Sequence, residues 1–162
     1  MRKVSKDDKL FYFERNFFTL DGLWIIETEN ETDLETSLKI DLAVWKRYFQ
    51  IAYKRIKKYL KKSTTNVDDI IDILSFRWSC EGWEYEIVKS EPKQGNVLIK
   101  KCPYHDIMTR NENRHNAIPR ICTDICNPLY ETAIKSLNSE IALKRSKRMG
   151  TGDGTCDFQF SL

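Results

Sequence analysis

The stretch WEYEIVKSEPKQGNVLIKKCP, residues 83–103, shows the clearest change of pattern in the chain. Every second residue from Trp83 to Ile87 is aromatic or aliphatic, which is the period of a β-strand with one buried face. A turn at 91–95 and a second apolar run at 97–99 follow. We therefore predict an antiparallel hairpin that ends at Pro103, because proline cannot donate to a strand ladder.

Helical spacing dominates the residues before this hairpin. From Asp8 to Phe18 apolar residues recur every three or four positions, and we predict a turn at Asp21-Gly22. Residues 23–26 fit either an extension of that helix or a short strand. The longest stripe, from Leu34 to Leu60, predicts a helix of about seven turns that is capped by the preceding aspartate. Val67 to Arg77 predicts a shorter helix.

The residues after the hairpin return to helix and then to strand. We predict a helix from about Pro119 or Arg120 to Ser136, and two strands, 139–149 and 155–160, around a glycine-rich turn. Helices first and antiparallel strands later are typical of the α+β class. The sequence thus predicts a single α+β domain over residues 1–162, an antiparallel sheet covered by helices on one face.

Composition and charge limit the classes of function. The 162 residues include 27 basic and 24 acidic ones, and a net charge of +3 is too small to imply a polyanionic partner. Basic clusters at 54–62 and 144–148 keep a nucleic-acid-binding accessory domain as a remote alternative. No apolar run reaches the ~20 residues that span a bilayer, and the charged N-terminal segment lacks the core of a signal peptide. We expect a cytoplasmic protein with no membrane partner, either monomeric or a homo-oligomer.

Four of the five cysteines and both histidines lie in the C-terminal half. The pairs Cys102-x2-His105 and Cys122-x3-Cys126 have the short spacing of zinc ligands, and Cys156 follows the glycine turn as a further ligand. We predict a zinc site at these five residues, with an iron–sulfur cluster as the alternative cofactor. Buried thiols that pack as small apolar groups are the simpler interpretation.

A reactive thiol is a different interpretation of the same cysteines. An adjacent base activates a cysteine nucleophile, and His105 could serve Cys102 or Cys122 in this way. Such activation requires hydrogen-bond contact between the two side chains, which sequence spacing does not establish.

Aromatic residues suggest where a small molecule would bind. The chain has four tryptophans and eight phenylalanines, enough to line a pocket for an apolar or planar ligand. We expect Trp24, Trp45 and Asp41 to be ligand-binding residues, although ordinary core packing explains the aromatic content as well.

Several motifs along the chain resemble a group of prokaryotic proteins. They are Asp21-Gly22-Leu23-Trp24, Ile40-Asp41 with Trp45, Lys101-Cys102-Pro103, Ile121-Cys122, and Gly152-Asp153 with Cys156-Asp157-Phe158. That group resembles the L-2-amino-thiazoline-4-carboxylic acid hydrolases and, more distantly, the vinyl-4-reductase domain found in sensors of aromatic compounds. The resemblance implies a vinyl-4-reductase-like fold that binds a small molecule. Arg148 stands where vinyl-4-reductase domains have another cysteine.

The functional expectation combines the thiols with this resemblance. We expect a cytoplasmic small-molecule-binding protein with a thiolate-rich, zinc-binding site. As an enzyme it would be a hydrolase of a cyclic amidine-like C–N bond, in which the metal lowers the pKa of a bound water to about 7. A non-catalytic ligand-binding or sensory module with a structural metal is the alternative. The sequence does not identify catalytic residues.

Overall fold

The chain folds as two compact units in a computed structural model that describes residues 3–162. One unit ends at Asp41 and the other comprises Leu42–Leu162. Helix α1, Lys6–Glu31, lies in the first unit, and helix α2, Leu34–Leu60, begins in the first and continues in the second. The expectation of a single domain over the whole chain stays a prediction.

The second unit continues after α2 with helices and strands in the following order. Helix α3 is Val67–Cys80, strand β1 is Glu84–Glu91, strand β2 is Gln94–Lys101, and helix α4 is Pro103–Thr109. A 3-10 turn at Glu112–Ala117 leads into a continuous helical stretch made of α5, Ile118–Arg120, a π-helical segment, Ile121–Cys126, and α6, Asn127–Leu137. Strand β3, Ala142–Lys144, a 3-10 turn at Met149–Thr151, and strand β4, Cys156–Ser161, follow.

The four strands form one antiparallel sheet in the order β1-β2-β4-β3. Val97 of β2 lies opposite Phe158 of β4, and both side chains are fully buried. Helix α3 packs against β1 and β2, and α6 packs against β3. The α+β class, with helices on an antiparallel sheet, is confirmed, and so is the hairpin predicted from residues 83–103.

Aromatic rings join the helices to the sheet. The ring of Tyr130 in α6 lies 4.8 Å from that of Phe158 in β4 and 5.4 Å from that of Phe49 in α2. Edge-to-face pairs of this kind add stability beyond the apolar area that they bury. The core of the second unit therefore depends on contacts between residues far apart in sequence.

A charged residue lies within this aromatic core. Arg77 of α3 is only 5% exposed, and its Nε donates to Glu81 Oε1 at 2.7 Å. Its Nη1 donates to the hydroxyls of Tyr130, at 3.1 Å, and Tyr53, at 3.3 Å. The guanidinium lies 4.2 Å from the centre of the Phe49 ring. Because a buried charge is tolerated only when it is paired, these contacts are required for Arg77 to occupy the core.

Helix α2 has the predicted bounds, whereas α1 is longer than predicted. The backbone N–H of Thr36 donates to Asp33 Oδ1 at 2.8 Å, so Asp33 caps α2 as expected. The turn predicted at Asp21-Gly22 is wrong, because α1 continues through both residues. A single glycine costs a helix only about 1 kcal/mol, which the flanking turns can offset. No helix within residues 3–162 has the length and apolar character to cross a bilayer.

Strand β3 is shorter than the predicted strand 139–149. The backbone N–H groups of Ser146 and Lys147 donate to Asp157 Oδ1, each at 2.7 Å, and not to a neighbouring strand. A side-chain carboxylate that takes these donors ends the ladder early. The helix predicted over 120–136 contains the π-helical segment, Ile121–Cys126, and continues past Pro128 as α6.

Candidate functional site

Four cysteines of the second unit lie at the ends of its elements. Cys102 follows β2 and precedes α4, Cys122 and Cys126 lie in the π-helical segment, and Cys156 begins β4. Burial is the main cause that raises the pKa of Cys102, and charge on Cys126, Cys156 or Cys122 would raise it further, so these sulfurs lie close enough to Cys102 to interact electrostatically. We call these four residues the thiol cluster. Single-turn π-helical segments are frequent at functional sites.

Arg145, just after β3, lies against the thiol cluster. Its Nη1 donates to Cys126 Sγ at 3.1 Å, and its Nε donates to the backbone carbonyl of Asp157 at 3.2 Å. The guanidinium stacks 4.1 Å from the centre of the Phe158 ring. Two hydrogen bonds and a stacked ring fix the orientation of this cation, which is half-buried beside a sulfur.

Burial keeps most of the cluster in the neutral thiol form. It raises the pKa of Cys122 to about 12 and raises the pKa values of Cys102 and Cys156, because a thiolate loses hydration when it is buried. The backbone N–H of Met149 donates to Cys156 Sγ at 3.3 Å and only partly offsets this effect. At neutral pH these three side chains are therefore uncharged.

Reduced, metal-free protein is expected to lose stability as the pH rises above about 9. In the unfolded chain Cys122 ionises near its ordinary pKa of 9.0, whereas in the folded chain it ionises near 12. Between these values the folded state holds the extra proton, so rising pH favours unfolding. Urea unfolding at pH values of about 8 and about 10 measures this slope.

The free energy of unfolding of the variant Cys122→Ala should fall less steeply with pH, because the variant lacks one thiol that ionises at a higher pH in the folded chain than in the unfolded chain. Cys80→Ala is the matched control, because Cys80 is exposed, and it should leave the slope unchanged. Identical slopes for Cys122→Ala and the wild type would contradict the assignment of a buried thiol.

The geometry of the thiol cluster gives no support for a resident metal ion. Within residues 3–162 no three His, Cys, Asp or Glu side chains are grouped closely enough to hold one. The Arg145 guanidinium contacts Cys126, and a cation beside this sulfur would be repelled by it. Zinc and the iron–sulfur cluster stay predictions.

Within residues 3–162 neither histidine ring forms a hydrogen bond with a cysteine of the thiol cluster. His105 lies in α4, half-buried, and no hydrogen bond joins its ring to Cys102 or Cys122 in the described part of the chain. His115 is exposed, and its Nε2 lies 2.9 Å from the carbonyl oxygen of Thr109. The structure therefore gives neither thiol the histidine base that a cysteine nucleophile requires.

The predicted ligand-binding residues belong to different units. Trp24 of α1 is 56% exposed, and Asp41 of α2 is buried, both in the first unit. Trp45 of α2 is buried in the second unit, where its ring lies 5.7 Å from that of Tyr104. Their role in binding a ligand stays a prediction.

Arg145 is the residue of the candidate site that the sequence interpretation missed. The run 144–148 reads as a basic cluster on the surface. A finer signal exists, because Arg145 is two residues from Leu143, and alternate residues of a strand share a face. Both side chains are half-buried in the structure.

Comparison with known proteins supports both the fold and the family. No curated protein matches the chain. A solved structure with a similar fold is a trafficking protein particle complex subunit 3 from Naegleria fowleri covalently bound to palmitic acid, with a TM-score of 0.61 and 10% sequence identity. The similarity covers 92% of this chain and 94% of that one, and at this identity it shows the fold alone.

A family model matches most of the chain. The model of the L-2-amino-thiazoline-4-carboxylic acid hydrolases matches residues 12–160, which include the whole thiol cluster and Arg145. The resemblance seen in the sequence motifs is thereby confirmed. The chain belongs to the L-2-amino-thiazoline-4-carboxylic acid hydrolase family.

Proposed function

We propose that this protein binds a small heterocycle at the thiol cluster and hydrolyses it. The observation that carries the proposal is the contact between Arg145 Nη1 and Cys126 Sγ, which places a fixed cation beside a half-buried sulfur. Family membership supplies the class of reaction, the opening by water of a ring that contains nitrogen and sulfur.

The proposed reaction has a simple chemical requirement. Water adds to the amidine-like carbon of the ring, one bond from that carbon to a ring heteroatom breaks, and the heteroatom takes up a proton. Negative charge on the attacking group favours the first step, and a fixed donor stabilises such charge. Arg145 is the donor we assign, because its guanidinium is already oriented by Asp157 and Phe158.

Cys126 is the sulfur on which we expect turnover to depend. It accepts a hydrogen bond from the guanidinium that we assign to the reaction, so its sulfur lies beside the reacting ring. Cys102 and Cys122 are less suited to this role, because neither accepts a hydrogen bond from Arg145 in the described part of the chain.

Incubation of the reduced protein with L-2-amino-thiazoline-4-carboxylic acid tests the proposal. We expect the ring to open at a rate that depends on protein concentration, with chromatography of the products as the measurement. The metal content of the same preparation, before and after chelation, tests the zinc prediction separately. Binding without ring opening would favour the alternative, a ligand-binding module without chemistry, and no binding would contradict the proposal.

The remaining expectations have their own tests. We propose a cytoplasmic location and retain a homo-oligomer as a prediction that sedimentation of the purified chain examines. Nucleic-acid binding is disfavoured by the weak net charge, and a filter-binding titration at two salt concentrations tests it.

A further inference from the structure

Two guanidinium groups converge on one junction of the chain, where the π-helical segment meets α6. Arg145 Nη1 donates to Cys126 Sγ at 3.1 Å, and Arg148 Nη2 donates to Asn127 Oδ1 at 3.3 Å. Arg148 Nη2 also donates to the backbone carbonyl of Arg145 at 3.2 Å. The junction thus holds two positive charges at neighbouring residues.

Neither cation has a carboxylate partner within residues 3–162. The nearby acidic side chains accept hydrogen bonds from backbone N–H groups instead. Asp157 accepts from the backbone N–H groups of Ser146 and Lys147, and Asp153 Oδ2 accepts from the backbone N–H of Arg148 at 2.8 Å. Two half-buried cations that lack a counter-charge repel each other, and an anion between them would relieve this repulsion.

One donor at the junction is also unsatisfied. Arg148 Nε is buried and has no hydrogen-bond partner in the described part of the chain. Buried N–H groups are nearly always paired, so an isolated one requires an explanation such as an absent ligand. The planar guanidinium matches the two oxygens of a carboxylate, which it binds through parallel hydrogen bonds.

We propose that Arg145 and Arg148 bind the carboxylate of a small-molecule ligand at the junction of the π-helical segment and α6. The proposal rests on the proposed function for the position of the reacting ring, which the carboxylate would hold next to the Cys126 sulfur. Phe158 orients the guanidinium of Arg145, so the site requires little rearrangement when the ligand binds.

Titration calorimetry with thiazole-4-carboxylate and its neutral carboxamide tests this site. The two probes share a flat ring with nitrogen and sulfur and differ in charge. We expect the wild type to bind the carboxylate at least about tenfold more tightly than the carboxamide, which corresponds to the loss of one charge-assisted contact. Arg148→Gln and Arg145→Gln should each abolish this preference.

Lys147→Gln is the matched control, because Lys147 is an exposed cation in the same loop. It should keep the preference for the carboxylate. If Arg145→Gln fails to fold, the result for Arg148→Gln alone tests the proposal. Arg148, unlike Arg145, does not stack on the Phe158 ring. Equal binding of both probes by the wild type, binding of neither, or an unchanged preference in Arg148→Gln would overturn the proposal.

Failure of this site and failure of the proposed function are distinguishable. Ring opening together with equal binding of the two probes would retain the hydrolase and reject the carboxylate site. A preference for the carboxylate that depends on both arginines, without ring opening, would retain the site and reject the hydrolysis.

Discussion

Replacement of Arg77 by alanine is expected to lower the free energy of unfolding by about 3–5 kcal/mol, the usual cost of breaking a buried ion pair. The substitution removes the partner of Glu81 and leaves the hydroxyls of Tyr53 and Tyr130 without their shared donor. It also removes the cation that packs over the Phe49 ring. Urea unfolding followed by tryptophan fluorescence measures the change.

Arg47→Ala is the control for the loss of one arginine. Arg47 is exposed on α2, so its removal should change the free energy of unfolding by less than about 0.5 kcal/mol. A stability of Arg77→Ala within about 1 kcal/mol of the wild type would show that the buried network contributes little. Loss of folding in Arg77→Ala alone would agree with the prediction.

Replacement of Gly150 by alanine is expected to destabilise the protein by about 1–3 kcal/mol, because the added methyl group overpacks the interior. A Cβ at this position would lie 2.8 Å from Cys122 Cβ and 3.1 Å from the carbonyl oxygen of Ile118. The helical backbone at Ile118 cannot move aside easily, so Cys122 would have to shift. Thermal and urea unfolding measure the loss of stability.

Gly154→Ala is the matched control in the same loop. A Cβ at Gly154 meets no atom within 4 Å, and its φ is not in the left-handed region. Its stability should therefore stay within about 0.5 kcal/mol of the wild type. Equal effects of the two alanine variants would contradict close packing between the glycine loop and the thiol cluster.

Elements with a long, regular pattern were predictable from the sequence. The stripe from Leu34 to Leu60 gave the bounds of α2, because apolar spacing over seven turns leaves few alternatives. The hairpin followed from alternation before a short turn and an apolar run after it. The predicted end of the first helix was wrong. Asp21-Gly22 favours a turn locally, but both residues are helical within the long helix α1.

The candidate site was predictable only in part. Spacing placed Cys102 at a strand end and Cys122 in a helix, because strand and helix signals surround both residues. The position of Arg145 depends on contacts with Asp157 and Cys126, which belong to other elements. Such long-range contacts leave no local pattern, so the sequence showed the run 144–148 only as a basic cluster.

The rate of ring opening by single-cysteine variants tests the central claim most directly. With L-2-amino-thiazoline-4-carboxylic acid as substrate, we expect Cys126→Ala to reduce kcat/KM at least about a hundredfold, as expected when a group that acts in the transition state is removed. Cys80→Ala should keep the wild-type value, because Cys80 is exposed and outside the thiol cluster. Folded Cys126→Ala with a wild-type kcat/KM would contradict the claim that the reaction occurs beside Cys126 and Arg145.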